Sequence, residues 1–122
     1  IRLQYPYALQ LHNNYIHDNM GNAIDLAISP MAANRSPTEI TDNILWANAG
    51  TNIRFTSPHD IPAWSCHPHR LRMEGNIVAG AYGASASGIA LQSQQGIQLS
   101  DNLFIGNRQA LDVAKTDCAP DQ

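Results

Sequence analysis

A chain of 122 residues has room for one domain with one modest core. Seven Lys and Arg against ten Asp and Glu leave a net charge near −3, which gives no basic footprint and argues against a nucleic-acid partner. The hydrophobic fraction of 43% is that of a globular protein, and no apolar run approaches the ~18 residues that a membrane span requires.

Ile1-Arg2-Leu3 alternates apolar and polar residues, the pattern of a half-buried strand. Tyr5-Pro6-Tyr7 interrupts it, and Leu9-Gln10-Leu11 resumes it. The same short-range pairing recurs in Ile89-Ala90-Leu91 and Ile97-Gln98-Leu99. The chain thus opens on the third strand of a repeat and on Ile1, as a processed or excised product would. Such a start leaves an uncapped strand stack. The expected organisation is one domain over 1–122, a segment of a longer solenoid, with 114–122 as a C-terminal tail.

From Leu9 onward a unit emerges. Leu9-Gln10-Leu11-His12-Asn13-Asn14-Tyr15-Ile16-His17-Asp18-Asn19 is matched position for position by Thr38-Glu39-Ile40-Thr41-Asp42-Asn43-Ile44-Leu45-Trp46-Ala47-Asn48. The third copy, 71–80, keeps the first asparagine at Asn76 and has Ala81 in place of the second. The fourth, 97–107, is the plainest, with Asn102 and Asn107. Each unit holds three short strand segments. The first lie at 9–11, 38–40, 71–73 and 97–99, the second at 15–17, 44–46, 77–79 and 103–105, and the third at 24–26, 53–55, 89–91 and 111–113. Asn14, Asn43, Asn76 and Asn102 are 29, 33 and 26 residues apart, a period that marks a solenoid.

Helical repeats fail on chemistry. The apolar positions alternate with period two, and Asn and Gly punctuate the chain too often for a helix hairpin. Three short strands per coil with asparagine turns describe an all-β parallel β-helix of about four coils. Its coils stack about 4.8 Å apart. An asparagine at the same corner of each coil can then donate its amide to the carbonyl oxygen of the next. Such a ladder also tolerates the left-handed backbone of a tight turn.

These residues resemble the right-handed parallel β-helix superfamily of pectate lyases, polygalacturonases and alginate epimerases. Asn43-Ile44-Leu45-Trp46-Ala47-Asn48 and Gly88-Ile89-Ala90-Leu91 are similar to the coils of mannuronan C5-epimerases in particular. The resemblance covers roughly 1–113. It implies a right-handed solenoid that binds a polysaccharide or oligosaccharide, with epimerase or lyase chemistry on a uronic-acid polymer. The same coils also serve non-catalytic adhesins, spikes and scaffolds, so a structural or binding solenoid is the alternative.

Coil length varies in one place. Between third and first strands the short form is 92–96, but the connection expands to 27–37 and to 56–70, and the third coil carries the Gly- and Ala-rich insertion 81–88. All the extra length borders the third-strand sheet, which is expected to floor a groove walled by loops. Its outward residues are Arg2, Asp25, Arg54, Ala90 and Asp112. They read either as a surface salt ladder of little energetic weight or as a charged floor for a sugar chain, Arg54 facing a carboxylate. Asp25, Arg54, Asp112 and Tyr82, on the insertion, are the candidate substrate contacts.

Ser57-Pro58-His59-Asp60 follows the strand at 53–55. The resemblance implies a role for it, because the epimerases carry an Asp-Pro-His-Asp/Glu motif there. Abstracting a C5 proton beside a carboxylate needs a base, an opposing acid and a neutralising cation. His59 then becomes the proton-transfer candidate, with Asp60 and Arg54 as catalytic partners. Ser57 stands where the family has its first aspartate, and the family's tyrosine falls on or near Arg54. An ordinary proline turn is the other reading.

Cys66-His67-Pro68-His69 lies further along the same connection. With His59 it offers zinc or copper ligands, but no second cluster completes a site, and no metal or other cofactor is expected. Cys118 follows the last third strand on the same edge, two coils from the strand before Cys66. The separation, about 9.6 Å along the axis, suits a Cys66–Cys118 disulfide. A secreted, periplasmic or cell-surface location is expected with it.

One ambiguity concerns the second-strand sheet. If Ile16, Leu45, Val78 and Phe104 face inward, then Tyr15, Ile44, Ile77 and Leu103 face outward with Trp46 and Ile105. That apolar exterior would mark an oligomer or parent-chain contact.

Overall fold

The computed structural model describes residues 1–4, 9–27, 38–56, 71–91 and 97–114. They form thirteen short strands in chain order: β1 Arg2–Gln4, β2 Gln10–His12, β3 Tyr15–His17, β4 Ile24–Ala27, β5 Thr38–Thr41, β6 Ile44–Trp46, β7 Ile53–Thr56, β8 Leu71–Glu74, β9 Ile77–Ala79, β10 Ile89–Leu91, β11 Ile97–Ser100, β12 Leu103–Ile105 and β13 Leu111–Val113. Each coil gives one strand to each of three parallel sheets. The first-strand sheet runs β2-β5-β8-β11, the second-strand sheet β3-β6-β9-β12, and the third-strand sheet β1-β4-β7-β10-β13. This is a parallel β-helix, and no helix among the described residues is long and apolar enough to cross a membrane.

The period-two pattern decides what fills the interior, because alternate side chains of a strand point to opposite faces. Ile24, Ile53 and Ile89 stack in register on the third-strand sheet, and Leu26, Phe55 and Leu91 stack beside them. Ile40 and Met73 pair on the first-strand sheet, Leu45 and Val78 on the second. All of these are buried in one core. The second-strand ambiguity is thereby resolved. Leu45 and Val78 are fully buried, Ile16 and Phe104 pack against them, and Tyr15, Ile44, Trp46, Leu103 and Ile105 lie exposed outside.

The corner between first and second strands divides its labour between two residues. The left-handed backbone falls on Asn13, Asp42, Gly75 and Asp101, with φ of 57°, 56°, 67° and 54°. Each stands one position before the ladder asparagine, so the tight turn and the ladder fall on neighbouring residues. The physical reason is that the asparagine side chain points inward, where its amide is needed. Asn14 Nδ2 donates to Asn43 Oδ1 at 3.0 Å, Asn43 Nδ2 to Asn76 Oδ1 at 3.0 Å, and Asn76 Nδ2 to Asn102 Oδ1 at 2.9 Å. The same oxygens accept the backbone N–H of Asn14, Asn43 and Asn76. The spare amide protons reach carbonyls of the preceding coil, Leu11 from Asn43 and Ile40 from Asn76. Every donor and acceptor of the buried Asn43 and Asn76 side chains is therefore used, which is what lets a polar residue sit in the core.

The next corner has a second ladder, and its repair is informative. Asn19 Nδ2 donates to Asn48 Oδ1 at 2.9 Å. Ala81 then offers no side-chain amide to receive Asn48. Asn52, from the turn before β7, fills the gap: Asn48 Nδ2 donates to Asn52 Oδ1 at 2.6 Å, and Asn52 Nδ2 donates to Asn107 Oδ1 at 3.3 Å. Asn52 is fully buried.

Candidate functional site

The outward face of the third-strand sheet carries one side chain per coil in strict register. Arg2 lies beside Asp25, Asp25 beside Arg54, Arg54 beside Ala90, and Ala90 beside Asp112. Ala90 is a single methyl group between two long or charged neighbours, so the row dips there. A hollow opens on each side of the dip, and Arg54, Ala90 and Asp112 line both. The smaller, of about 200 Å³, extends toward Thr56 and Ala114. The larger, of about 390 Å³, extends toward Asn22, the turn 49–51 and the insertion residues 83–86. Each borders β7, β10 and β13 and so runs along the solenoid axis, and the row between them is the floor of the groove.

Small residues let the groove wall stack so closely. A Cβ on Gly83 would lie 2.0 Å from the Ala49 carbonyl oxygen, so only glycine permits the insertion to rest on the turn of the coil beneath. Backbone bonds hold the stack, Gly50 N–H to Gly21 O at 3.0 Å and Tyr82 N–H to Asn48 O at 3.3 Å. Asn22 ties the wall to the floor. Its Oδ1 accepts the Thr51 N–H at 2.8 Å, and its Nδ2 donates to Asp25 Oδ2 at 3.4 Å.

The charges of the row are not consumed by one another. Among the described residues the ion pairs are His17 with Asp18, at 2.6 Å, and Arg72 with Glu74, both away from this sheet. No carboxylate of the described residues lies within 4.0 Å of the Arg54 guanidinium. The alternating signs therefore do not close into a ladder of ion pairs. The result is an exposed guanidinium at a groove floor, with Asp112 as an acceptor beyond Ala90, the exposed Ser85 in the wall and Thr56 on the floor. A guanidinium presents a planar fork of donors that matches a carboxylate, and the remaining lining suits hydroxyl groups.

The structure brings together Arg54 and Asp112, with Asp25 adjoining through Asn22. Tyr82 is exposed and lines neither hollow, although the four residues after it line the larger one. His59 and Asp60, the cluster at 66–69 and Cys118 lie outside the described residues. Among the described residues no three His, Cys, Asp or Glu side chains gather as metal ligands. Asn22, Thr51 and Ser85 escaped the sequence reading because they stand in turns, where period-two patterning is silent. A polar residue one or two positions before a third strand, as in Asn22 and Asn52, was the available signal.

Neither the curated proteins nor the solved structures compared with this chain give a match. The family model described as a right-handed β-helix region does, over residues 1–119. That match runs across all four coils and agrees with three parallel sheets fed one strand per turn. The chain accordingly belongs to the right-handed β-helix family.

Proposed function

We propose that this chain is a carbohydrate-directed β-helix whose third-strand groove holds an acidic oligosaccharide, with Arg54 as the anchor for a sugar carboxylate. One observation carries the reading: a guanidinium without an ion-pair partner among the described residues lies on the floor of both hollows of the groove. Loops and insertions on a rigid scaffold favour the same place, and the insertion 83–86 forms part of its wall. Hydroxyls of the sugar find an acceptor in Asp112 and a partner in Ser85.

Arg54→Ala tests it by titration against an oligosaccharide that contains uronic acid. A charge-assisted hydrogen bond contributes about 1.5–3 kcal/mol, so affinity should fall by roughly ten- to a hundredfold. Arg54→Lys keeps the charge but loses the fork and should fall between. Arg54 is exposed, so neither change should move the unfolding midpoint appreciably. Unchanged affinity in Arg54→Ala protein would sink the reading and leave the structural solenoid in its place. The enzymatic form of the proposal adds proton transfer at the sugar C5 by His59 with Asp60. Its check is turnover of alginate- or pectin-type polymers by wild-type and His59→Ala proteins, and equal product from both would discard it.

A further inference from the structure

We infer that the groove selects a sugar chain bearing a single carboxylate flanked by neutral rings over a homopolymer with a carboxylate on every ring. The inference rests on the reading of the groove as an acidic-oligosaccharide site. It concerns what the neighbours of Arg54 permit.

The row across the floor reads Arg2, Asp25, Arg54, Ala90, Asp112, one residue per strand. Its two arginines and two aspartates cancel. Strands in a sheet are about 4.8 Å apart, so Asp25 stands one step from Arg54 on one side and Asp112 two steps away on the other. A sugar chain lying in the groove follows the same axis as the row, because Arg54, Ala90 and Asp112 border both hollows. With one carboxylate seated on Arg54, the adjoining rings face Asp25, Ala90 and Asp112. Neutral rings meet those positions with hydroxyls, which donate to the aspartates. Further uronate rings meet Asp25 or Asp112 with another carboxylate, and like charges at such separations repel.

Asp25 is not free to swing away from this encounter. Asn22 donates to one of its oxygens, and Asn22 is itself fixed by the Thr51 N–H. Asp112 is exposed at the far end and lines both hollows. Among the described residues the hollows are therefore lined by one cation, Arg54, with a carboxylate further along the row on each side of it. A polyanion-binding groove would need a run of cations instead. Among the described residues the other titratable neighbour in the row is Arg2, on the far side of Asp25, which partly offsets Asp25 and leaves Asp112 as the stronger discriminator.

The test titrates the full chain at low ionic strength with three probes. They are a xylose oligosaccharide bearing one glucuronate, a tetragalacturonate and a neutral xylotetraose. The single-uronate probe should bind about tenfold or more tightly than tetragalacturonate, and the preference should shrink as salt is raised. Asp112→Asn, alone and with Asp25→Asn, should bring the ratio between the two acidic probes toward one. Tetragalacturonate binding as tightly as the single-uronate probe, with both lost in Arg54→Ala protein, would overturn the inference and leave the groove reading intact. Neither acidic probe binding better than xylotetraose would overturn both. A ratio unmoved by Asp112→Asn and Asp25→Asn together would also overturn the inference.

Discussion

Asn76 is the residue on which the stack depends most. It is fully buried, and its side chain donates to Asn102 Oδ1 and Ile40 O while accepting from both nitrogens of Asn43. Truncation leaves several buried partners unsatisfied at once, and each such group costs about 1–3 kcal/mol. Asn76→Ala should therefore lose about 3 kcal/mol or more, read from a shift of the urea midpoint at constant slope. Asn76→Asp should be no better, because it keeps the shape but turns donors toward the Asn102 and Ile40 oxygens into a buried carboxylate. Asn14 and Asn102 are only half-buried at the ends of the ladder, and their alanine variants should lose about 1 kcal/mol each. A midpoint unchanged in Asn76→Ala protein would show that water replaces the ladder.

At the scale of elements, strands three or four residues long hold together because each is paired on a flat stack, not because any is stable alone. What distinguishes one coil from another is its turns. The insertion 81–88 lies against the turn 49–51 at backbone contact, and Gly83 is the point of closest approach. Gly83→Ala should push the insertion off the turn, with a loss of about 1–3 kcal/mol for the forced shift. It should also weaken oligosaccharide binding several-fold, since residues 83–86 line the larger hollow. Ala84→Ser, exposed on the same wall, is the control and should leave stability in place. Equal binding by Gly83→Ala protein would remove the insertion from the site. On the opposite part of the solenoid, the second-strand sheet shows a different economy. It buries Leu45 and Val78 and leaves Ile44, Trp46, Leu103 and Ile105 outside, so this sheet is apolar on both faces.

The whole molecule has its driest core in its middle. Ile40 and Met73 are fully buried, whereas Leu99, the next in the same stack, is 38% exposed and Leu111 40%. In a solenoid each coil is covered only by its neighbours, so burial grades along the axis instead of inward from a surface. Cross-links between distant coils therefore matter more here than in a globule of equal length. β7 and β13 are two strands apart in one sheet, about 9.6 Å, and Cys66 and Cys118 follow them in the sequence. We expect a disulfide between them. Native protein alkylated without reduction should then take up no label, and labelling of two thiols would dismiss the bond.

The sequence by itself determined the coil: the alternation of apolar residues set the strands, and the register of Asn14, Asn43, Asn76 and Asn102 set the stacking. Both are local or strictly periodic signals, and a side chain's face follows from its parity. The floor of the groove was legible for the same reason, since Arg54 and Asp112 sit at outward positions of known strands. Only the tertiary structure decided the rest. It chose which parity the second strands bury, a choice open while both rows of that sheet were apolar. It placed the left-handed backbone on the residue before each ladder asparagine, and it put Asn52 where Ala81 breaks the second ladder. It also assembled the groove wall from Asn22, Thr51 and Ser85, which lie far apart in the chain. Such contacts join turns of different coils, and turns carry no periodicity from which their packing can be read.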